Sequence, residues 1–190
     1  MALKLFRRNE APAPAPIPAA QPLRSDAVTF DGLTEGYRLR GTISLADKDR
    51  LSDILNRRES LAIRDVVRGP IAAADHWVPA PEIESIDPYG FSLIFAGPDS
   101  RPDYSNAEAA AHKVRKQSHR VKLEVAAFEV IGTVWLNPGF SAVELLSGRV
   151  QNLFLPVTGA QVWWGQLPLD SGAADVVLVN RFELHALRNL

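Results

Sequence analysis

Two stretches of this 190-residue chain, 91 positions apart, repeat one pattern of apolar residues around a Gly-Thr pair. Tyr37–Ile43 aligns with Phe128–Val134, so that Gly41 falls on Gly132. Further positions align in the same register: Leu45 with Leu136, Ile54-Leu55 with Leu145-Leu146, and Val66 with Val157. A repeat of this length predicts two domains, or two halves of one barrel, and not a solenoid of short repeats.

Both stretches alternate along the chain between apolar and polar residues. Apolar residues or glycine occupy every second position of Tyr37–Leu45 and of Phe128–Leu136. A period of two predicts a strand with one apolar and one polar face. The glycine in the middle of each strand indicates a bend or a close backbone approach, the device that curls sheets into barrels. Val28–Leu33 and His119–Val125 are predicted to be the partner strands.

Short helices are predicted between these strands. Leu51, Ile54 and Leu55 lie at helical spacing within Asp47–Arg58, so we expect all three to face the sheet. Aspartates at the start of this segment and arginines at its end suit the helix dipole. Two further helices are predicted, over Pro138–Ser147 and over the alanine-rich Ala107–Lys116.

The predicted fold is therefore α+β and mainly β, with two homologous, barrel-like halves that each contain one short helix. Residues 1–23 are predicted to be a head and an Ala/Pro-rich spacer, because alternating Ala-Pro favours extended polyproline II and cannot form a core. The first repeat is predicted over residues 24–104, a connector helix over 105–118 and the second repeat over 119–190.

The same residues carry a resemblance to a bacterial family of small β-rich domains that has no assigned activity. The pattern of that family runs Gly-Thr, Arg-Leu-Ser-Asp-x-Leu-Asn-Arg, Phe-Leu-Pro-Leu-Thr-Asp-Ala and Val-Asn-Arg. The chain resembles it at Gly41-Thr42 and Arg50–Arg57 in the first half, and at Gly132-Thr133, Phe154–Ala160 and Val177–Arg181 in the second. The first half departs from the pattern at Leu61–Val66, and the second half lacks the Leu-Ser-Asp-x-Leu-Asn helix. The resemblance implies a β-rich fold in tandem duplication and implies no chemistry.

Composition excludes several classes of protein. The chain has no cysteine, which excludes disulfides, thiolate zinc sites, iron–sulfur clusters and cysteine nucleophiles, and suits a reducing compartment. Its 21 Lys and Arg against 22 Asp and Glu exclude a protein that is basic throughout and coats nucleic acid. The basic start is followed by Ala-Pro repeats and not by an apolar segment, so we do not expect a secretory signal. No apolar run reaches the ~20 residues of a transmembrane helix.

The sequence offers little catalytic chemistry. Its histidines are scattered and stand at no metal-ligand spacing: His76, His112, His119 and His185. Asp47, Asp49 and Asp53 could hold a divalent ion, but the start of a helix favours such residues without a metal. No nucleophile elbow, phosphate-binding loop or dinucleotide fingerprint occurs. We therefore expect no cofactor and no enzyme, unless residues distant in the sequence converge on a site.

Two sets of residues are candidates for contact with a protein partner. The head is predicted to be either a frayed terminus or a docking peptide that could also touch a membrane surface weakly. Its candidate contact residues are Leu3, Leu5, Phe6, Arg7 and Arg8. The other set is Trp163 and Trp164. Neighbours in a strand point to opposite faces, so we expect one in the core and the other exposed at an interface.

Positive charge concentrates within residues 112–122. The candidate anion-binding residues of this segment are Lys113, Arg115, Lys116, Arg120 and Lys122. One interpretation is a solvated helix end, and the other is a patch for acidic partners, phosphates or anionic lipid. RNA binding would require exposed aromatic side chains beside it.

The leading functional hypothesis is a non-enzymatic interaction or scaffold module of a bacterial assembly, tethered by the N-terminal head. A protein partner or a homo-oligomer is expected, in the cytoplasm or at the inner face of the membrane. The alternative hypothesis is a barrel that binds nucleic acid or a small ligand through residues 112–122, although the overall charge of -1 makes nucleic acid the weaker candidate.

Overall fold

The computed structural model describes residues 27–44, 50–57, 60–73, 76–100, 115–147, 152–169 and 174–190. The predicted head and spacer, residues 1–23, lie outside these ranges. Within them the chain is mostly β-strand, with one α-helix and several 3-10 turns, which confirms the predicted mainly-β class. No helix of the described ranges is long and apolar enough to span a bilayer.

The first half of the described chain is a series of strands around one short helix. Its elements are β1 (Ala27–Leu33), β2 (Arg38–Ser44), α1 (Leu51–Leu55), β3 (Leu61–Ala62), β4 (Arg64–Gly69), β5 (Val78–Pro79), β6 (Ser85–Ile86), a 3-10 turn (Pro88–Gly90), β7 (Leu93–Ala96) and a second 3-10 turn (Pro98–Ser100). Within residues 61–69 the chain is divided at Ile63 into the two strands β3 and β4. These two strands pair with different partners, β6 and β2.

The second half follows the same order of elements with longer strands. They are β8 (Gln117–Val125), β9 (Phe128–Leu136), a 3-10 turn (Ala142–Leu146), β10 (Phe154–Trp164), β11 (Leu167–Leu169), β12 (Val176–Asn180), a 3-10 turn (Arg181–Glu183) and β13 (Leu184–Asn189). The long strand β10 is continuous, with an irregularity in its pairing to β9 between Thr158 and Gln161.

The main sheet is antiparallel and open. It runs β13-β8-β9-β10-β12-β7-β1-β2-β4-β5, with β11 paired to β10 beside this path, while β3 and β6 form a separate two-stranded sheet. The prediction of barrel-like halves is therefore wrong. The reason is that β12 pairs on one side with β10 of its own half and on the other side with β7 of the first half. That pairing joins the halves edge to edge and leaves neither half closed on itself.

The first two strands of each half correspond at a spacing of 91 residues, whereas β4 and β10 correspond at a spacing of 94, because Arg64 pairs with Thr42 and Thr158 pairs with Thr133. The predicted alignment of Val66 with Val157 is therefore wrong, and Val157 corresponds to Ile63.

The neighbours in the first half are β7-β1-β2-β4, and those in the second half are β13-β8-β9-β10. Gly41 lies in β2 and Gly132 in β9, so each lies in the second strand of its half. The two hairpins also share a register, because Asp31 pairs with Arg40 and the position 91 residues after Asp31, Lys122, pairs with Ile131.

Two apolar cores lie on opposite faces of the sheet. The first contains α1 and the inward residues of β1 and β2, and the second contains the inward residues of β8 and β9. All four residues of β7 are buried, but Ile94 belongs to the first core and Leu93 to the second. Neighbouring strand residues point to opposite faces. The central strands β7 and β12 are therefore covered on both sides, as their uninterrupted apolar sequences require.

Each central glycine marks a close backbone approach, as its position in the sequence predicts. A Cβ on Gly41 would lie 2.6 Å from the Ile63 side chain and 2.9 Å from the carbonyl oxygen of Arg64. A Cβ on Gly132 would overlap the Val157 side chain and lie 3.2 Å from the carbonyl oxygen of Thr158.

A bulge lies in the neighbouring strand opposite each glycine. The pairing of β2 with β4 shifts between Arg40 and Thr42, and that of β9 with β10 shifts between Thr158 and Gln161. A residue with positive φ stands within each bulge, Asp65 at φ 52° and Gly159 at φ 56°. An inserted residue of this kind bends the strand and increases its twist.

The helix α1 is shorter than the sequence predicts over the described residues, but its apolar face is confirmed. Leu51, Ile54 and Leu55 are all buried in the first core. Asn56 follows the helix and ties it to the second half, because its side-chain oxygen accepts a hydrogen bond from the backbone N–H of Phe154 at 2.8 Å. The asparagine of the Leu-Asn-Arg pattern therefore has a structural role here.

Of the other two predicted helices, the one over residues 138–147 differs from the structure. Over residues 138–147 the chain forms a 3-10 turn and no α-helix, with Gly139 at φ 89° just before it. The turn begins where the backbone N–H of Ser141 donates to the Glu144 carboxylate at 2.8 Å. The connector predicted over 105–118 falls largely outside the described residues, and its last two positions belong to β8.

Candidate functional site

The structure describes only some of the residues that the sequence proposes as contact sites. Leu3, Leu5, Phe6, Arg7, Arg8 and Lys113 lie outside the described residues. Trp163 and Trp164 do point to opposite sides of β10, but neither is a core residue: Trp163 is half-buried and Trp164 is 38% exposed. The core position of this segment is Val162. A tryptophan on each side of one strand therefore reaches solvent.

Trp163 shares a sheet face with part of the basic segment. We call this surface the outer face: the side of β8, β9 and β10 that points away from the second core. Its rows follow from the strand pairing, in which Lys122 pairs with Ile131 and Ile131 with Gln161. The outer face consists of Arg120, Lys122, Glu124, Glu129, Ile131, Thr133, Trp135, Thr158, Gln161 and Trp163.

Trp135 is the most exposed aromatic side chain of the outer face. It is 48% exposed, yet its indole Nε1 donates a hydrogen bond to Thr158 Oγ1 at 2.9 Å. Thr158 Oγ1 in turn donates to the carbonyl oxygen of Thr133 at 3.2 Å. The indole ring is therefore held in one orientation while much of its surface faces solvent. Sequence reasoning missed Trp135, although its polar-face position in an alternating strand marks it as outward.

Over residues 115–122, the part of the basic segment that the structure describes, the positive charge is interrupted by acids. Arg115 and Lys116 are exposed ahead of β8, and Arg120 is exposed on the outer face. Lys122 forms an ion pair with Glu129 of β9, with Nζ 2.5 Å from Oε2. Glu124 adds a second acid along β8. The Glu129 carboxylate of the neighbouring strand thus neutralises part of the charge, which the order of residues along the chain does not reveal.

The corresponding face of the first half contains a buried charge cluster that sequence reasoning also missed. Arg38 Nε lies 2.6 Å from Asp31 Oδ1, and Arg40 Nε lies 2.7 Å from Asp31 Oδ2. The Arg38 side chain is 2% exposed and its guanidinium stacks over the Phe95 ring at 4.8 Å. Arg40 stacks over Trp77 at 4.5 Å. Two guanidinium groups therefore share one carboxylate under aromatic cover.

No arrangement suited to metal binding is found among the residues that the structure describes. In those ranges no three His, Asp or Glu side chains come close enough to hold a metal ion. His119 lies in β8, His185 in β13 and His76 in the loop before β5, and Asp53 lies on α1. His112, Asp47 and Asp49 lie outside the described ranges.

Comparison with protein-family models, curated proteins and solved structures finds no match to this chain. Function must therefore be argued from the surfaces described above.

Proposed function

We propose that the two halves are copies of one ancestral unit and that the protein is a duplicated interaction module without catalytic activity. The shared order of strands and the identical hairpin register support the duplication. The bulges at Asp65 and Gly159 support it further, since each lies opposite the central glycine of its half. Such irregularities are retained as structural features rather than arising at random in equivalent places.

The turns before β7 and β13 give a second line of support. Asp87 accepts a hydrogen bond from the Tyr89 N–H at 2.9 Å, and Asn180 accepts one from the Phe182 N–H at 3.0 Å. Each residue begins a 3-10 turn that leads into the last strand of its half. A short polar side chain that caps its own backbone is the common feature of both turns.

The binding surface in this proposal is the outer face, and the observation that carries it is the fixed, half-exposed Trp135. A rigid aromatic side chain that protrudes from a sheet loses little conformational freedom when a partner covers it. Ile131 is half-buried four residues from Trp135 along β9, and Trp163 lies towards the other end of that strand, where it pairs with Glu129. Aromatic side chains are enriched in protein interfaces, so a tryptophan towards each end of the outer face suits a surface that binds a partner.

The partner in this proposal is a protein segment with apolar side chains and an acidic residue. Arg120 is the exposed cation of the outer face, and it has no ion pair with any residue of the described ranges. A nucleic acid fits less well, because Lys122 is already paired and Glu124 and Glu129 would face the phosphates. Nucleic-acid affinity rises with the number of phosphates that cations neutralise, and these acids oppose it.

A photocrosslinking residue at position 135, in the cells of origin, tests this proposal. We expect covalent adducts to protein, and we expect Arg120→Glu to reduce them. The matched control is the same photocrosslinker at Val143, which is 57% exposed but lies outside the outer face. Adducts to RNA or DNA would favour the alternative function, and an absence of position-specific adducts would refute the outer face as a binding surface.

The head forms the second part of the proposed module, and its sequence alone supports this. Its apolar and basic residues stand at the tip of an Ala-Pro spacer, which offers few backbone donors for a sheet. We propose that they dock to an assembly or to an anionic membrane surface. Deletion of residues 1–23 should leave folding intact and release the protein from its native complex or membrane fraction. Unchanged fractionation would show that the head does not dock.

A further inference from the structure

We propose that copies of this protein associate head to tail, through pairing of β13 of one copy with β6 of the next. The inference rests on the proposed duplication, because it extends to a second molecule the junction that already joins the two halves. Both strands have an unused edge: within the described residues β13 pairs only with β8, and β6 pairs only with β3.

The pairing of β12 with β7 inside the molecule is the model for the proposed contact between copies. There β12 of the second half pairs with β7 of the first, from Val176 opposite Ala96 to Val179 opposite Leu93. The ladder continues past the strand ends, where the Asn180 N–H donates to the Ser92 carbonyl at 2.9 Å. In the duplicated order, β6 corresponds to β12 and β13 corresponds to β7. The counterpart of this junction is therefore a β6–β13 pair, which the described chain does not form with itself.

Alignment of the two capped turns fixes the register of the proposed contact. Asp87 and Asn180 are 93 positions apart, and the strands on either side of them align with the same offset. The pair Val179–Leu93 then corresponds to Ile86–Ala186, and the pair Val177–Phe95 corresponds to Glu84–Arg188. The proposed pairing thus places an acid opposite a base.

The charges at these positions favour such a contact. Arg188 lies opposite Lys122 across β13 and β8, and like charges in directly opposite positions destabilise a sheet. Glu84 and Arg188 are both exposed, and neither forms an ion pair with a residue that the structure describes. A Glu84 carboxylate brought beside Arg188 by a second copy would relieve the repulsion at the edge of the sheet.

The contact uses different surfaces on its two sides, so it is heterologous and leaves a free β6 at one end and a free β13 at the other. Contacts of this kind produce open chains of molecules unless a rotation closes them into a ring. Unpaired sheet edges are the usual route to such association.

One residue indicates that the intermolecular junction is weaker than the internal one. Asn180 Nδ2 donates to the carbonyl oxygen of Phe91 at 3.0 Å and so fastens the turn of the first half. Its counterpart Asp87 has no side-chain donor when ionised. We therefore expect reversible, concentration-dependent association in the wild type and stronger association in Asp87→Asn.

Sedimentation velocity of the full chain over about a hundredfold range of concentration tests the proposal. Glu84→Lys and Arg188→Glu should each weaken association by roughly tenfold, because each places like charges opposite one another. The double variant with both reversals should recover most of the affinity, and Asp87→Asn should exceed the wild type. Glu35→Lys is the control: it reverses a charge in the exposed turn between β1 and β2 and should change nothing.

Two outcomes would overturn the proposal. One is a wild type and an Asp87→Asn variant that both stay monomeric at every concentration. The other is association that persists unchanged in Glu84→Lys and in Arg188→Glu. Failure here is distinguishable from failure of the proposed function, because the crosslinks from position 135 do not depend on either sheet edge.

Discussion

The two halves carry an ion pair at the same place in the sheet, with the charges exchanged. Asp31 and Arg38 lie diagonally across β1 and β2, and Lys122 and Glu129 occupy the corresponding positions of β8 and β9. The Arg38 and Asp31 side chains are 2% and 11% exposed, whereas those of Lys122 and Glu129 are 31% and 35% exposed. The two ion pairs share the same strand pairing, and they differ in how far neighbouring side chains shield them from solvent.

In the first half the cover is aromatic and comes from distant parts of the chain. The Arg38 guanidinium stacks on the Phe95 ring of β7, and the Arg40 guanidinium stacks on the Trp77 ring. The second half has no such cover within the described residues, and its outer face keeps Trp135 half-exposed. The first half therefore uses this face for its own stability, whereas the second half leaves it exposed.

The largest expected effect is the loss of the shared carboxylate. Asp31→Asn leaves the buried Arg38 guanidinium without a charged partner, and breaking a buried pair in this way costs about 3–5 kcal/mol. Glu129→Gln at the corresponding pair should cost less than about 1 kcal/mol, because that pair is partly solvated. Urea denaturation of both variants measures the difference. Equal losses would show that burial does not distinguish the two pairs.

A second comparison concerns the helical turns between the strands. Leu55 of α1 is 1% exposed, whereas Leu146, 91 positions later, is 44% exposed. Leu55→Ala should lower the free energy of unfolding by about 2–5 kcal/mol, the range for a buried leucine. Leu146→Ala should stay within about 0.5 kcal/mol, as exposed substitutions do. A large loss at Leu146 would mean that the 3-10 turn packs as α1 does.

Alanine at either central glycine should lower the free energy of unfolding by a similar amount. This comparison tests how similar the two halves are. Gly41→Ala and Gly132→Ala each force a methyl group against the bulged neighbouring strand. Overpacking of this kind costs roughly 1–3 kcal/mol. Thermal or urea unfolding of both variants should give similar losses. A neutral effect at either position would show that its close approach is not needed by the fold.

The smallest expected effect lies at the bulges themselves. Gly159→Ala places a side chain at positive φ with nothing packed against it, so it should cost about 1–2 kcal/mol through backbone strain alone. Asp65→Gly should stay within about 0.5 kcal/mol, since aspartate already tolerates this conformation. Chemical denaturation of both variants resolves the contrast. A costly Asp65→Gly would instead assign the aspartate side chain a role in the bulge.

Several parts of the fold follow from local sequence. The alternation in residues 37–45 and 128–136 places the inward residues of β2 and β9 correctly, and helical spacing identifies the buried face of α1. The glycines predict a close approach because a strand interior otherwise disfavours them. The candidate site is harder to predict. Arg120 and Trp163 are recognisable as candidates, but Trp135 and the neutralising Glu129 come from a different strand.

The sequence by itself determines the alternation of apolar and polar residues and the apolar face of each strand, because these depend on residues close together in the chain. It also shows the repeated apolar pattern, because that pattern is a direct comparison of two stretches of sequence. The tertiary structure alone decides that β12 pairs with β7, that the sheet stays open, and that Arg38 is buried while Glu129 is not. Backbone hydrogen bonding is nearly the same at every strand edge, so local sequence cannot specify which edges meet. That choice depends on how the two cores pack on opposite faces of the central strands, and the same packing determines which charged residues lose their contact with water.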